Sequence, residues 1–213
     1  MANKINYKNL MDGQIKELKN KESKAKLLLH SCCAPCSTAV LEVLLPYFDI
    51  TIYYYNPNTY PEKEYNERLD ELKIYIKTRY LEEHITIIES NYDSNEFYTI
   101  AKGLELEPEG GKRCLECYRL RLEHTADVAI ENNMDYFTTV LSISPHKNVK
   151  WINELGMDIA EKKGITFLNG DFKKSNGFKR STELSKEYDL YRQDYCGCVY
   201  SLKESKLRNE NNK

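Results

Sequence analysis

The chain has 213 residues, 41% hydrophobic and 30% charged, with a net charge of -2. That length suits one domain with a sizeable core. The balanced charge excludes a global attraction to nucleic acid, so any such contact must come from local basic patches. No run approaches the roughly 20 apolar residues of a membrane span. Residues 1–26 are polar and lysine-rich with no apolar stretch of signal-peptide length, so a cytoplasmic protein without membrane contact is expected.

In chain order, residues 1–25 read as a polar extension, helical over 9–21. Residues 26–30 (KLLLH) are short, apolar and followed by small residues, which predicts a buried strand. Residues 37–47 have helical periodicity, and 49–55 are rich in β-branched and aromatic residues, a second strand. A turn at 56–61 leads into a helix that runs to about residue 77, with Pro61 in its first turn. A third strand is predicted over 83–89 and a helix over 94–101. Residues 107–111 (EPEGG) break the pattern before a long helix over 114–132. Strands follow at 135–141 and 165–168, separated by a helix over 149–163, and a short helix spans 181–188. Residues 26–202 are therefore expected to form a single α/β domain, and 203–213 a frayed C-terminus. Alternating strands and helices imply an α/β fold with a mostly parallel sheet and helices on both faces. Ligands of such sheets sit beyond the carboxyl ends of the strands. The segments after the first, fourth and fifth strands would converge there.

The seven cysteines fall in three tight groups: Cys32, Cys33 and Cys36 after the first strand; Cys114 and Cys117 one turn apart on the long helix; and Cys196 with Cys198. An odd count in a reducing compartment argues against a disulfide framework. Three readings stay open: an iron–sulfur cluster, a structural zinc site, or a redox dithiol at Cys33 and Cys36. The plain alternative is buried cysteines acting as small hydrophobes. A four-thiolate site leaves three thiols over. Cys32 and Cys33, being adjacent, are expected to point in different directions and to serve different ions. Two neighbouring centres, of four thiolates and three, account for all seven.

Residues 30–37 (HSCCAPCS), 111–118 (GKRCLECY), 144–147 (SPHK) and 190–198 (LYRQDYCGC) together resemble the QueH type of epoxyqueuosine reductase. The resemblance runs from about residue 26 to 202. It implies two-electron reductive removal of the epoxide oxygen of epoxyqueuosine at the tRNA wobble position, the last step of queuosine biosynthesis. It also implies a [4Fe-4S] cluster beside a separately bound iron, for which zinc can substitute, and no cobalamin. The implied architecture is the nucleotide-binding, ATP pyrophosphatase-like (HUP) one, with the metal site at the carboxyl ends of the strands. Cysteines stand where that group has a phosphate-binding loop, so ATP use is not expected. Cys36 stands where some family members carry a carboxylate.

On this resemblance Cys33, Cys114, Cys117 and Cys198 are assigned to the cluster, and Cys32, Cys36 and Cys196 to the second metal. His146, Lys147 and Tyr195 are the candidate proton donors by their place in the motifs. Asp171 is a candidate for a substrate hydroxyl, with a local salt bridge as its alternative. Lys173, Lys174, Lys179 and Arg180, interleaved with Phe172 and Phe178, suit phosphate contact plus base stacking. Lys112 and Arg113 are further candidates; the structural alternative for Arg113 and Arg119 is pairing with Glu116 or Glu123. The expected partners are tRNA bearing epoxyqueuosine and a ferredoxin- or flavodoxin-like electron donor. Competing classes are a zinc-stabilised RNA-binding module and a thiol-based tRNA sulfur transferase.

Overall fold

The computed structural model describes residues 5–19 and 23–211. Five strands form one parallel sheet: β1 (Ala25–Ser31), β2 (Phe48–Tyr54), β3 (Thr86–Glu89), β4 (Tyr136–Thr139) and β5 (Thr166–Phe167), in the order β3-β2-β1-β4-β5. β1 is central and almost continuously buried, as a strand covered on both faces must be. Leu27, Leu28 and Leu29 are all fully buried. Each such side chain contributes roughly 1.5–3 kcal/mol by leaving water.

The helices are α1 (Tyr7–Leu18), α2 (Ala34–Leu44), α3 (Glu62–Arg79), α4 (Ser94–Ala101), α5 (Lys112–Glu131), α6 (Val149–Lys163), α7 (Gly177–Glu187) and α8 (Val199–Asn211). α2 packs on α3 and α7, whereas α5 packs on α4 and α6. Right-handed crossovers account for this: α2 and α3 lie on the path from β1 out to β3, α4, α5 and α6 on the path back to β4 and β5, and α7, after β5, returns to α2. The direction reverses between β1 and β4. Their carboxyl ends therefore flank the crevice in which such sheets take their ligands.

Several boundaries differ from expectation. β4 ends at Thr139, and the chain tightens into a 3-10 turn (Val140–Ile143) because the Thr139 hydroxyl accepts from the Leu141 amide. α7 begins at Gly177 rather than Ser181. A Cβ at Gly177 would lie 1.8 Å from the Phe172 carbonyl oxygen, so only glycine admits this close entry. The C-terminal segment, expected to fray from Lys203, is helical through Asn211. The Ser205 hydroxyl ties it to Asp194 at 3.0 Å, and Arg113 lies 3.7 Å from Glu204. The polar N-terminal segment is also part of the fold: Met11, Ile15 and Leu18 of α1 join the main core, and Gln14 bonds both Phe167 and Asn169. Of the predicted helix over 9–21, residues 20 and 21 lie outside the described residues.

Candidate metal centre

The first cysteine group sits where β1 hands over to α2. Cys33 is the N-cap, in a fully extended conformation, and Pro35 occupies the first turn. The strand-to-helix turn breaks the alternation that would send neighbouring side chains apart. Cys32 and Cys33 Sγ are 3.8 Å apart, and both lie within 4.8 Å of Cys36 Sγ. The expectation that Cys32 and Cys33 serve different ions is therefore not met by the geometry. The thiols of Cys33 and Cys36 donate toward Cys32, which lowers its pKa well below the usual thiol range. The same bonds push Cys33 up to about 12 and raise Cys36. Cys32 is thus the first of the three to become thiolate.

Of the other four cysteines, Cys196 lines the same cleft as this trio. Cys114 and Cys117 lie on one face of α5. Cys117 and Cys198 share a small apolar cluster with Phe97 and Ala101. Burial raises Cys114, and it pushes Cys117 up to about 12; charge on Cys196 and Cys198 acts on both in the same direction. Backbone amides point at two of these sulfurs, Gly110 N at Cys114 (3.2 Å) and Ser201 N at Cys198 (3.4 Å). Amide donors of this kind suit sulfur that carries negative charge. Gly197, between Cys196 and Cys198, has φ +117°, a conformation that favours glycine. A Cβ there would meet Arg68 Nη1 at 2.9 Å. The turn before α3 holds the segment as well, since the Gly197 carbonyl accepts from Tyr60 N at 2.8 Å. All seven cysteines are free.

Three cations press on the two groups. Arg68 is buried and lies 2.8 Å from Glu64. Arg121 is buried one turn after Cys117, its Nε donating to the Cys117 carbonyl at 3.2 Å. Lys147 is half-buried. Burial alone would discharge Lys147, but Cys196, Cys32, Cys36 and Tyr118 outweigh it and keep the ammonium protonated above the usual lysine range.

Above the trio opens a cleft of about 530 Å³ lined by Cys32, Cys33 and Cys36, by the 144–147 loop, by Phe178 and Ser181 of α7, and by residues 192–196. Its lining includes His146, Lys147, Tyr195 and Cys196. His146 is exposed at the rim. The Tyr195 hydroxyl donates to the Tyr60 carbonyl at 3.2 Å, and its ring lies 5.5 Å from the Arg68 guanidinium. Glu109, Arg192 and Arg208 also line the cleft, and the sequence reading had not singled them out.

Other expected residues lie elsewhere. Asp171 is buried against Lys173 (3.1 Å) and Lys174 (3.7 Å), away from the cleft lining, which is its salt-bridge alternative. Lys174 also reaches Asn6. Arg113 is not available to nucleic acid. It is 1% exposed, donates to the carbonyls of Leu104, Glu105 and Glu107, and stacks at 4.3 Å on Tyr200. Arg119 pairs with Glu116 at 3.2 Å, its structural alternative. Lys179 is exposed beside α7's start, while Arg180 grips Glu42 through two bonds. Phe172 is buried, so only Phe178 offers a ring at the surface. Among the described residues no helix is long and apolar enough to cross a membrane.

Fold and site together define an α/β protein with a thiol-rich centre at the crevice between β1 and β4. A family model for epoxyqueuosine reductase QueH matches residues 27–204. The chain is 42% identical over 207 residues to the epoxyqueuosine reductase QueH of Streptococcus pyogenes serotype M1, covering 94% of this chain and 79% of that protein. It is 42% identical over 202 residues to that of Staphylococcus epidermidis, covering 93% and 85%. Against the Thermotoga maritima protein of the same name the identity is 36% over 183 residues, covering 84% and 91%. The chain belongs to the epoxyqueuosine reductase QueH family.

Proposed function

We propose that this protein reduces epoxyqueuosine in the anticodon wobble position of tRNA to queuosine, in the cytoplasm. Family membership supports this reading, and one observation carries it to the site: a single cleft places the Cys32, Cys33 and Cys36 thiols beside His146, Lys147 and Cys196. The strand order and the crevice between β1 and β4 support the nucleotide-binding, ATP pyrophosphatase-like architecture, with thiols in the place of a phosphate loop.

The donor set suits iron. Cys114, Cys117, Cys196 and Cys198 would hold a four-iron cluster, and Cys32, Cys33 and Cys36 a second iron. This division exchanges Cys33 and Cys196 relative to the one drawn from the motifs, and it follows the spacing of the trio. Bound there, iron would relay electrons and act as a Lewis acid toward the epoxide.

Converting the epoxide to the cyclopentene consumes two electrons and two protons and releases water. The chain's own residues manage the protons. Lys147 presents a protonated Nζ at the cleft wall, and its partial exposure allows reprotonation from solvent. His146 stands at the rim as the second donor. Tyr195, whose hydroxyl is committed to Tyr60, shapes the wall. Phe178, exposed at the cleft mouth with Arg192 5.5 Å from its ring, offers a stacking surface to an unpaired base. Lys179 adds a phosphate contact, and a ferredoxin- or flavodoxin-like carrier supplies the electrons.

The test is mass spectrometry of tRNA nucleosides after anaerobic incubation with reconstituted protein and a reductant. Conversion of epoxyqueuosine to queuosine is expected. Persistence of the epoxide despite an intact, reducible centre refutes the assignment, as does a colourless protein that holds only zinc after anaerobic reconstitution.

A further inference from the structure

Arg121 is a buried cation without an acid. It is 2% exposed, and among the described residues no carboxylate lies within ion-pair distance of it. Its Nε donates to the Cys117 carbonyl, and its ring-stacking neighbour is Tyr118 at 5.9 Å. Its Nη2 has no hydrogen-bond partner. A guanidinium in such surroundings needs a counter-charge. Protonated thiols do not provide one, but metal-bound cysteines are thiolates and do.

The helix explains the aim. Cys114, Cys117 and Arg121 follow at i, i+3 and i+7, so all three share one face of α5. Among the groups able to carry negative charge, Cys117, Cys196 and Cys32 would act on Arg121 most strongly once they are thiolates, and the Cys117 carbonyl already holds its Nε. The other two cations differ. Arg68 is neutralised by Glu64 at 2.8 Å, and Lys147, only half-buried, lines the open cleft.

We propose that Arg121 is a positioning residue that raises the reduction potential of the thiol-bound centre, through its fixed buried charge and its unpartnered donor. The inference rests on the iron reading above. The step is a one-electron reduction: an external donor gives up one electron, the centre gains one negative charge, and no bond or proton moves. A buried positive charge stabilises that added charge more than the oxidised state.

Full-length protein, reconstituted anaerobically with iron and sulfide, is titrated with dithionite and mediators and followed by electron paramagnetic resonance. Arg121→Gln is expected to lower the equilibrium constant for reduction at least tenfold, a shift of about 59 mV to more negative potential for one electron. Arg121→Lys keeps the charge and should stay within about threefold of wild type, roughly half that shift. A wild-type midpoint in a loaded R121Q protein overturns the proposal, and so does an R121K midpoint displaced as far as that of R121Q. If R121Q does not assemble the centre, Arg121→Met provides the neutral variant, and its midpoint is read against those of wild type and R121K by the same criteria. A wild-type protein with no reducible centre sinks the iron reading instead, which separates the two failures.

Discussion

His30 on β1 faces Thr139 on β4, with Nδ1 2.8 Å from the threonine hydroxyl oxygen, while Nε2 lies 3.0 Å from the Tyr55 carbonyl. A carbonyl only accepts, so Nε2 carries the proton and Nδ1 accepts from Thr139. The neutral imidazole thus ties β1 both to β4 and to the residue after β2, directly below the cysteine trio.

Burial, with Arg121 nearby, lowers the pKa of His30 from 6.5 to about 4. The unfolded chain binds a proton below pH 6.5 that the folded chain refuses until about pH 4. The stability due to neutral His30 is therefore complete above pH 6.5, is lost progressively down to pH 4, and amounts to on the order of 3 kcal/mol. Urea midpoints of wild type and His30→Gln at equal metal content check this. The wild-type midpoint should fall over that window, and the variant should show a flatter profile.

The two thiol groups predict two kinds of metal loss. Cys114→Ser, Cys117→Ser, Cys196→Ser or Cys198→Ser should remove most of the iron and acid-labile sulfide. Cys32→Ser, Cys33→Ser or Cys36→Ser should remove about one metal ion per chain and leave the sulfide. Iron and sulfide analysis of anaerobically reconstituted protein distinguishes this pattern from the split drawn from the motifs, in which Cys33 and Cys196 trade places.

Lys147→Met keeps the stem of the side chain and deletes its proton. Positioned acid catalysis is commonly worth about 10²–10⁴ in rate, so turnover should fall by about that range while iron content is retained. Single-turnover assays followed by nucleoside analysis measure it. A variant with near wild-type turnover removes Lys147 from the proton path.

Lys179 and Arg113 should behave oppositely, although both are basic. Lys179→Ala should weaken tRNA binding and reduce the salt dependence by about one phosphate contact, with the denaturation midpoint unchanged. Arg113→Ala strips three backbone carbonyls and a Tyr200 stack, so it should cost on the order of 2 kcal/mol in stability. Denaturation and salt-titrated binding on both variants check the contrast.

The strand and helix pattern was legible because periodicity reports burial directly: α4 and α6 fall where the apolar spacing put them. The cysteine groups were legible because thiols in tight clusters have few uses. What the linear chain hid was direction. The rule that neighbouring side chains diverge failed at Cys32 and Cys33, since β1 ends at Ser31 and the chain bends at Cys32 on its way into α2. Arg113, beside a CxxC, looked like a phosphate ligand, yet three carbonyls of the preceding loop claim it. Arg121 left a signal that went unread, a basic residue one helical turn beyond a clustered cysteine. Arg68 left none, because on α3 it is one charge in a charged run.

The position of Cys196 and Cys198 late in the chain bears on when all seven thiols can meet. As the chain emerges from the ribosome, the trio at Cys32, Cys33 and Cys36 and the α5 pair at Cys114 and Cys117 are present long before the last two sulfurs. Those two need α3 already folded, since Gly197 is seated against Arg68 and bonded to Tyr60. A cofactor held by all four of the later thiols would thus be closed only late in synthesis, on a sheet already built, so its insertion would follow translation rather than guide it.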